Sequence, residues 1–152
     1  MKRAACAFLL VIVFVLGLVS IALTGATMDE AKALTEKAAA YWKANGREKA
    51  IAEINNPKGQ FVKGELYVVA QDFNGVVLAN AVNPERVGQN FSNLKDPSGR
   101  YFAREMVEAA KKGSGVVEFV FVNPTTKKFQ PKTNYVRRVQ GEDALVMCGI
   151  FH

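Results

Sequence analysis

Histidine is almost missing from this 152-residue chain: there is one, and it is the last residue, His152. Cysteine is nearly as scarce, with Cys6 and Cys148 alone. A Ser-His-Asp or Cys-His nucleophile system and a His-rich zinc site are thereby close to excluded by counting. Cys6 falls inside an apolar run, so Cys148 is the one thiol of the rest, and no disulfide framework exists to staple a small fold. A free thiol on an apolar strand reads as a small buried hydrophobe. A strong charge of one sign is also lacking. Residues 27–152 hold 18 basic and 14 acidic groups, an excess of +4 with no long run, which argues against nucleic acid as a partner. There is no internal repeat and no low-complexity segment. No cofactor motif is present and none is called for.

Apolar residues are abundant but unevenly placed. Twenty of the 75 lie in residues 1–26. Lys2 and Arg3 precede a run from Ala4 to Leu23 in which only Gly17 and Ser20 are not apolar. Thr24-Gly25-Ala26 follows, with small residues at −3 and −1 of a cut after Ala26. This layout predicts an export signal over 1–26. At about 1.5 Å per residue the run also reaches across a bilayer, so an uncleaved anchor is the rival reading. Either places residues 27–152 outside the cytoplasm, periplasmic or secreted. The membrane is a partner only if the segment stays uncleaved. Residues 27–152 are enough for one domain with a real core and too few for two.

Periodicity organises that domain. Ala31, Leu34, Ala38, Tyr41 and Trp42 predict a helix over 28–45, with Thr27 and Glu30 as a capping box and Asn45-Gly46 as its end. A second helix is expected over 47–55. The pattern then turns to strands at 66–71 and 76–80 around Asn74-Gly75. Residues 83–99 are turn-rich, too long for a simple connection, and so a candidate functional loop. A helix over about 100–112 follows, then strands at 115–122, 133–140 and 144–151. Helices set apart from an antiparallel sheet predict an α+β fold with a PAS-like five-stranded sheet and the long first helix packed on one face.

The order of these pieces resembles a known family. Tyr67 through Ala79, Asn83-Pro84 to Asn90, Leu94 to Phe102, Asn123-Pro124, Pro131-Lys132, Tyr135 to Val139 and Gly149-Ile150-Phe151 stand as in a single Cache domain, type 2. The resemblance spans about residues 29–151. It implies an extracytoplasmic sensor module of the Cache fold, many relatives of which bind small organic acids such as short carboxylates, or amino acids. A membrane receptor or kinase is the kind of partner that reads such a module. Three departures stand out. Val116-Val117 occupy a position where a Trp is frequent, and Thr133-Asn134 replace a common pair of serines. The chain also stops at His152, where relatives often continue into a membrane helix and a signalling domain, so a stand-alone module is expected.

Six side chains are candidate ligand contacts, each with a plainer alternative. Phe119 and Phe121 alternate on one strand face, as pocket wall or as core. Tyr135 offers a hydroxyl. Lys132, a recurrent polar residue of the family, offers a point charge for a carboxylate or sits at the surface. Tyr101 and Arg104 open the mid-chain helix, where Arg104 grips a carboxylate in two-pronged fashion or pairs with Glu108 at i,i+4. The expected pocket lies between that helix and the sheet, under loop 83–99. The competing reading is a non-catalytic interaction protein of the same fold with a collapsed pocket. Catalysis would need a second carboxylate near Glu118, and the spacing supplies none.

Overall fold

A computed structural model of the chain describes residues 25–152, and the expectations for residues 1–24 lie outside them. The first helix, α1, runs Met28–Asn45. Thr27 accepts from the Glu30 amide, and the Glu30 carboxylate accepts from the Thr27 amide, which completes the capping box. Ala31, Leu34, Ala38 and Trp42 form its buried stripe. Thr35 is also buried, and its hydroxyl bonds the Ala31 carbonyl at 2.8 Å, so burying it leaves no orphan. Gly46, at φ +82°, turns the chain directly into α2, Arg47–Ile54.

A two-stranded ribbon, β1 (Val62–Lys63) with β2 (Leu66–Tyr67), leads into the main sheet. The sheet contains β3 (Val69–Asp72), β4 (Val77–Asn80), β5 (Ser114–Val122), β6 (Phe129–Arg138) and β7 (Ala144–Phe151). Its order is β4-β3-β7-β6-β5, antiparallel throughout. Between β4 and β5, on opposite edges, run loop 81–101, with a 3-10 turn at Pro84–Arg86, and α3 (Phe102–Lys111). The PAS-like α+β layout expected from the sequence is present. The single strand expected over 66–71 is instead broken at Val68, whose amide bonds the Phe61 carbonyl at 3.0 Å and bends the chain from ribbon to sheet. β6 begins at Phe129 rather than at 133. Pro131 lacks a donor, yet it fits in the strand opposite Val120, and its carbonyl accepts from the His152 amide at 2.9 Å.

Two cores flank the sheet. One packs α1 and α2 on residues such as Val68, Val146 and Cys148. The other packs α3 on Val117, Phe119, Val136, Leu145 and Met147. The alternation of β6 therefore decides what each residue can touch: Thr133, Tyr135 and Arg137 face α1, whereas Lys132, Asn134 and Val136 face α3 and loop 83–99. Ala26 is half-buried against the α1 core. Among the described residues no helix is long and apolar enough to cross a membrane.

Candidate functional site

Lys132 sits in β6 between Phe119 of β5 and Phe151 of β7. It is 7% exposed. Its ammonium lies 3.4 Å from the Tyr67 hydroxyl, 5.0 Å from the Tyr67 ring centre and 4.6 Å from that of Phe151. Among the described residues no carboxylate forms an ion pair with it. Arg86, from the 3-10 turn, adds a second positive charge to the same interior, and its guanidinium stacks 4.5 Å above Phe121. Burial pushes Lys132 down to about 8, with the Arg86 charge acting in the same direction. The groups around it do not neutralise it. Burial raises the Tyr67 phenol to about 12 and the Cys148 thiol to about 11, so both are uncharged near neutral pH.

Asn134 is two residues further on the same strand face and is buried. Its amide nitrogen approaches the sulfurs of Met147 at 3.4 Å and Met106 at 4.0 Å. Its Oδ1 is a buried acceptor without a partner. The interior thus combines an uncompensated cation, a phenol and a free acceptor within apolar walls. In chemical terms that combination is complementary to an anion bearing a donor group.

Loop 83–99 roofs this face. Asp96 fixes it: Oδ1 accepts from the Ser98 amide, the Ser98 hydroxyl and the Arg100 amide at 2.6–2.9 Å, and Oδ2 accepts from the Val120 amide at 2.9 Å. These bonds hold the Asp96 carboxyl down at about 2 against the cost of desolvation. Asn80 accepts from the Val82 and Asn83 amides and starts the loop. A cavity of about 450 Å³ opens between the loop and β5, with Arg86, Phe91, Leu94, Phe102, Phe121 and Phe129 among its walls. Of the six candidate contacts Phe121 lines it, whereas Lys132, Phe119, Tyr135, Arg104 and Tyr101 do not.

Of the six candidates, Phe119, Phe121 and Lys132 come together on the α3 face. Phe119 stacks on Phe102 at 4.8 Å between ring centres. Tyr135 lies on the opposite face, where its hydroxyl donates to Glu36 of α1 at 2.6 Å. Arg104 and Tyr101 brace the loop from outside. The Arg104 guanidinium donates to the Ser92 carbonyl at 2.6 Å and to Asn93, and stacks 4.3 Å over the Tyr101 ring. Glu108, the i,i+4 candidate for Arg104, pairs with Lys111 instead. Sequence reasoning missed Tyr67, Arg86, Asn134 and Asp96. Tyr67 was hidden because it read as an alternating strand position, and Arg86 because loops carry no periodicity. Among the described residues no cluster of His, Cys, Asp or Glu suited to a metal ion occurs.

Residues 20–152 match the family described as Single Cache domain 2. The methyl-accepting chemotaxis protein CtpM of Pseudomonas aeruginosa is 34% identical over 107 residues, 70% of this chain. The match spans 18% of that protein's own length. Among solved structures, a methyl-accepting chemotaxis protein from Vibrio parahaemolyticus superposes with a TM-score of 0.69 at 24% identity, covering 81% of this chain and 86% of the other. A Cache chemosensory domain solved for its carboxylic acid recognition gives 0.64 at 25% identity, covering 82% and 87%.

Proposed function

Because the chain belongs to the single Cache domain 2 family, we propose that its sensor domain binds a small organic anion, a short carboxylate or an amino acid, through Lys132. The observation that carries this reading is the buried ammonium with no anionic partner. Such a charge is costly inside a protein, and a ligand carboxylate would supply the missing counter-charge. Arg86 adds attraction for an anion, while Phe119 and Phe121 supply apolar wall. The free Asn134 Oδ1 suits an ammonium or hydroxyl on the ligand, which favours amino or hydroxy acids over plain fatty acids. The Cache chemosensory domain solved with carboxylic acid recognition supports the ligand class. Homology to periplasmic sensor domains of chemotaxis proteins supports an extracytoplasmic domain that relays ligand occupancy to a receptor or kinase partner.

One observation favours the second reading, a filled interior that acts by contact alone. The Tyr67 and Phe151 rings already flank the ammonium and offset part of its burial. A thermal-shift screen of carboxylates of up to four carbons and of small amino acids separates the two. A midpoint that rises with ligand in the wild type and not in Lys132→Met supports binding at this site. A flat response across the panel supports the filled interior.

A further inference from the structure

One end of the molecule brings three features together. Gly25 and Ala26 share a surface cavity of about 250 Å³ with the Asn123–Thr126 turn of the β5–β6 hairpin and with His152. The sequence immediately before Gly25 is the apolar run Ala4–Leu23, long enough to span a bilayer. The hairpin tip therefore stands beside the point from which that run continues. The opposite end, at the Gln140–Asp143 turn, carries Glu142 and Asp143 and receives Trp42 and Arg47.

The hairpin itself is basic, while Glu65 lines the cavity at its base. No acidic residue occurs between Glu118 and Glu142. Lys127 and Lys128 are exposed and form no ion pair among the described residues. Lys127 occupies the left-handed region at φ 59°, with its amide on the Asn123 carbonyl, so the turn is tight and projects the residues that follow. Phe129 is 64% exposed, the most exposed large apolar side chain among the described residues. Leu94, at 43%, and Lys95 wall the same cavity as Phe129 and extend the patch. Lysines beside an exposed aromatic are what an interfacial contact with anionic lipid requires.

The geometry points to the hairpin tip, Lys127 to Phe129, as a contact with an anionic phospholipid surface. The lysines meet headgroup phosphates, and Phe129 enters the boundary between headgroups and acyl chains. The proposal rests on residues 1–26 being retained as a membrane anchor, and the contact then sets the standing height and tilt of the domain.

The test uses the full chain in nanodiscs of phosphatidylcholine, with and without phosphatidylglycerol, and follows amide hydrogen exchange. Residues 125–130 should exchange about fivefold more slowly on the anionic discs, the factor one lysine near an anionic leaflet supplies. The 140–143 turn should not change. Lys127→Glu/Lys128→Glu and Phe129→Ser alter exposed side chains, should leave the circular dichroism spectrum intact, and should each remove the protection. Equal exchange on both discs overturns the proposal. So does protection that survives the charge reversal, or that depends on protein concentration rather than lipid charge, which would assign the tip to a protein contact.

Discussion

Replacing Lys132 by methionine should make the domain more stable while abolishing its ligand response. Methionine keeps most of the side-chain volume and removes the charge. In the unfolded chain the ammonium titrates near 10.5, and in the fold at about 8. That difference corresponds to about 3 kcal/mol of destabilisation wherever both states are protonated. The Tyr67 and Phe151 rings return about 1 kcal/mol, which the variant forfeits. A net gain of about 2 kcal/mol remains, or about 6 °C in midpoint for a domain of this size. The gain has a pH signature. Because the folded value lies below the unfolded one, the penalty is full below about pH 8 and shrinks as pH rises toward 10.5. Urea melts of wild type and Lys132→Met at pH 6.5 and pH 9.5 test both parts. A variant less stable than wild type at pH 6.5, or a difference that does not narrow at pH 9.5, would refute the uncompensated-charge argument.

Asp96→Ala strips acceptors from the Ser98, Arg100 and Val120 amides and should cost about 2–4 kcal/mol in a denaturant melt. Since its carboxyl is held at about 2 in the fold against 3.8 unfolded, its contribution is complete above about pH 4 and is lost as pH falls toward 2, a loss the variant should not show. Tyr135→Phe breaks a bond to Glu36 on the α1 face, and should lower stability by about 1–2 kcal/mol with ligand affinity unchanged in calorimetry. At Gly149 an added Cβ would meet the Thr133 carbonyl and Asn134 Oδ1 at 2.1 Å, so Gly149→Ala should destabilise by about 3 kcal/mol, read as a lowered midpoint.

Much of this architecture is visible in local pattern. The Thr27–Glu30 capping box, the stripe through Ala31, Leu34, Ala38 and Trp42, and the Asn45-Gly46 stop place α1 without reference to anything distant. The meander is likewise carried by alternation and turn residues. What alternation cannot supply is the partner across the sheet. Phe119 and Lys132 are read as neighbours only once the β5–β6 register is known, and that register depends on β6 starting at Phe129, four residues before sequence reasoning began it. Pro131 caused the shortfall, since a proline has no amide to give the ladder and so argues against an inner strand, although its carbonyl here accepts from the His152 amide. That Tyr135 faces α1 and not the Phe119–Phe121 side is likewise hidden, because the relative phase of two strands is a tertiary fact. Arg104 illustrates the same limit. Its spacing to Glu108 predicted a helical pair, yet the carbonyl of Ser92 claims it, and loop conformation leaves no periodic trace.

The central claim is that a small organic anion becomes the counter-ion of Lys132, and proton linkage tests it most directly. Once a carboxylate ligand has been found, its binding is measured by calorimetry at pH 8.5 in buffers of different ionisation enthalpy. Free Lys132, titrating at about 8, is then mostly neutral, and pairing with a carboxylate should restore its charge. The account predicts uptake of about three-quarters of a proton on binding at pH 8.5 and close to none at pH 6.5, with no binding heat in Lys132→Met. Binding enthalpies that are identical across buffers at pH 8.5 would contradict it and place the ligand away from Lys132.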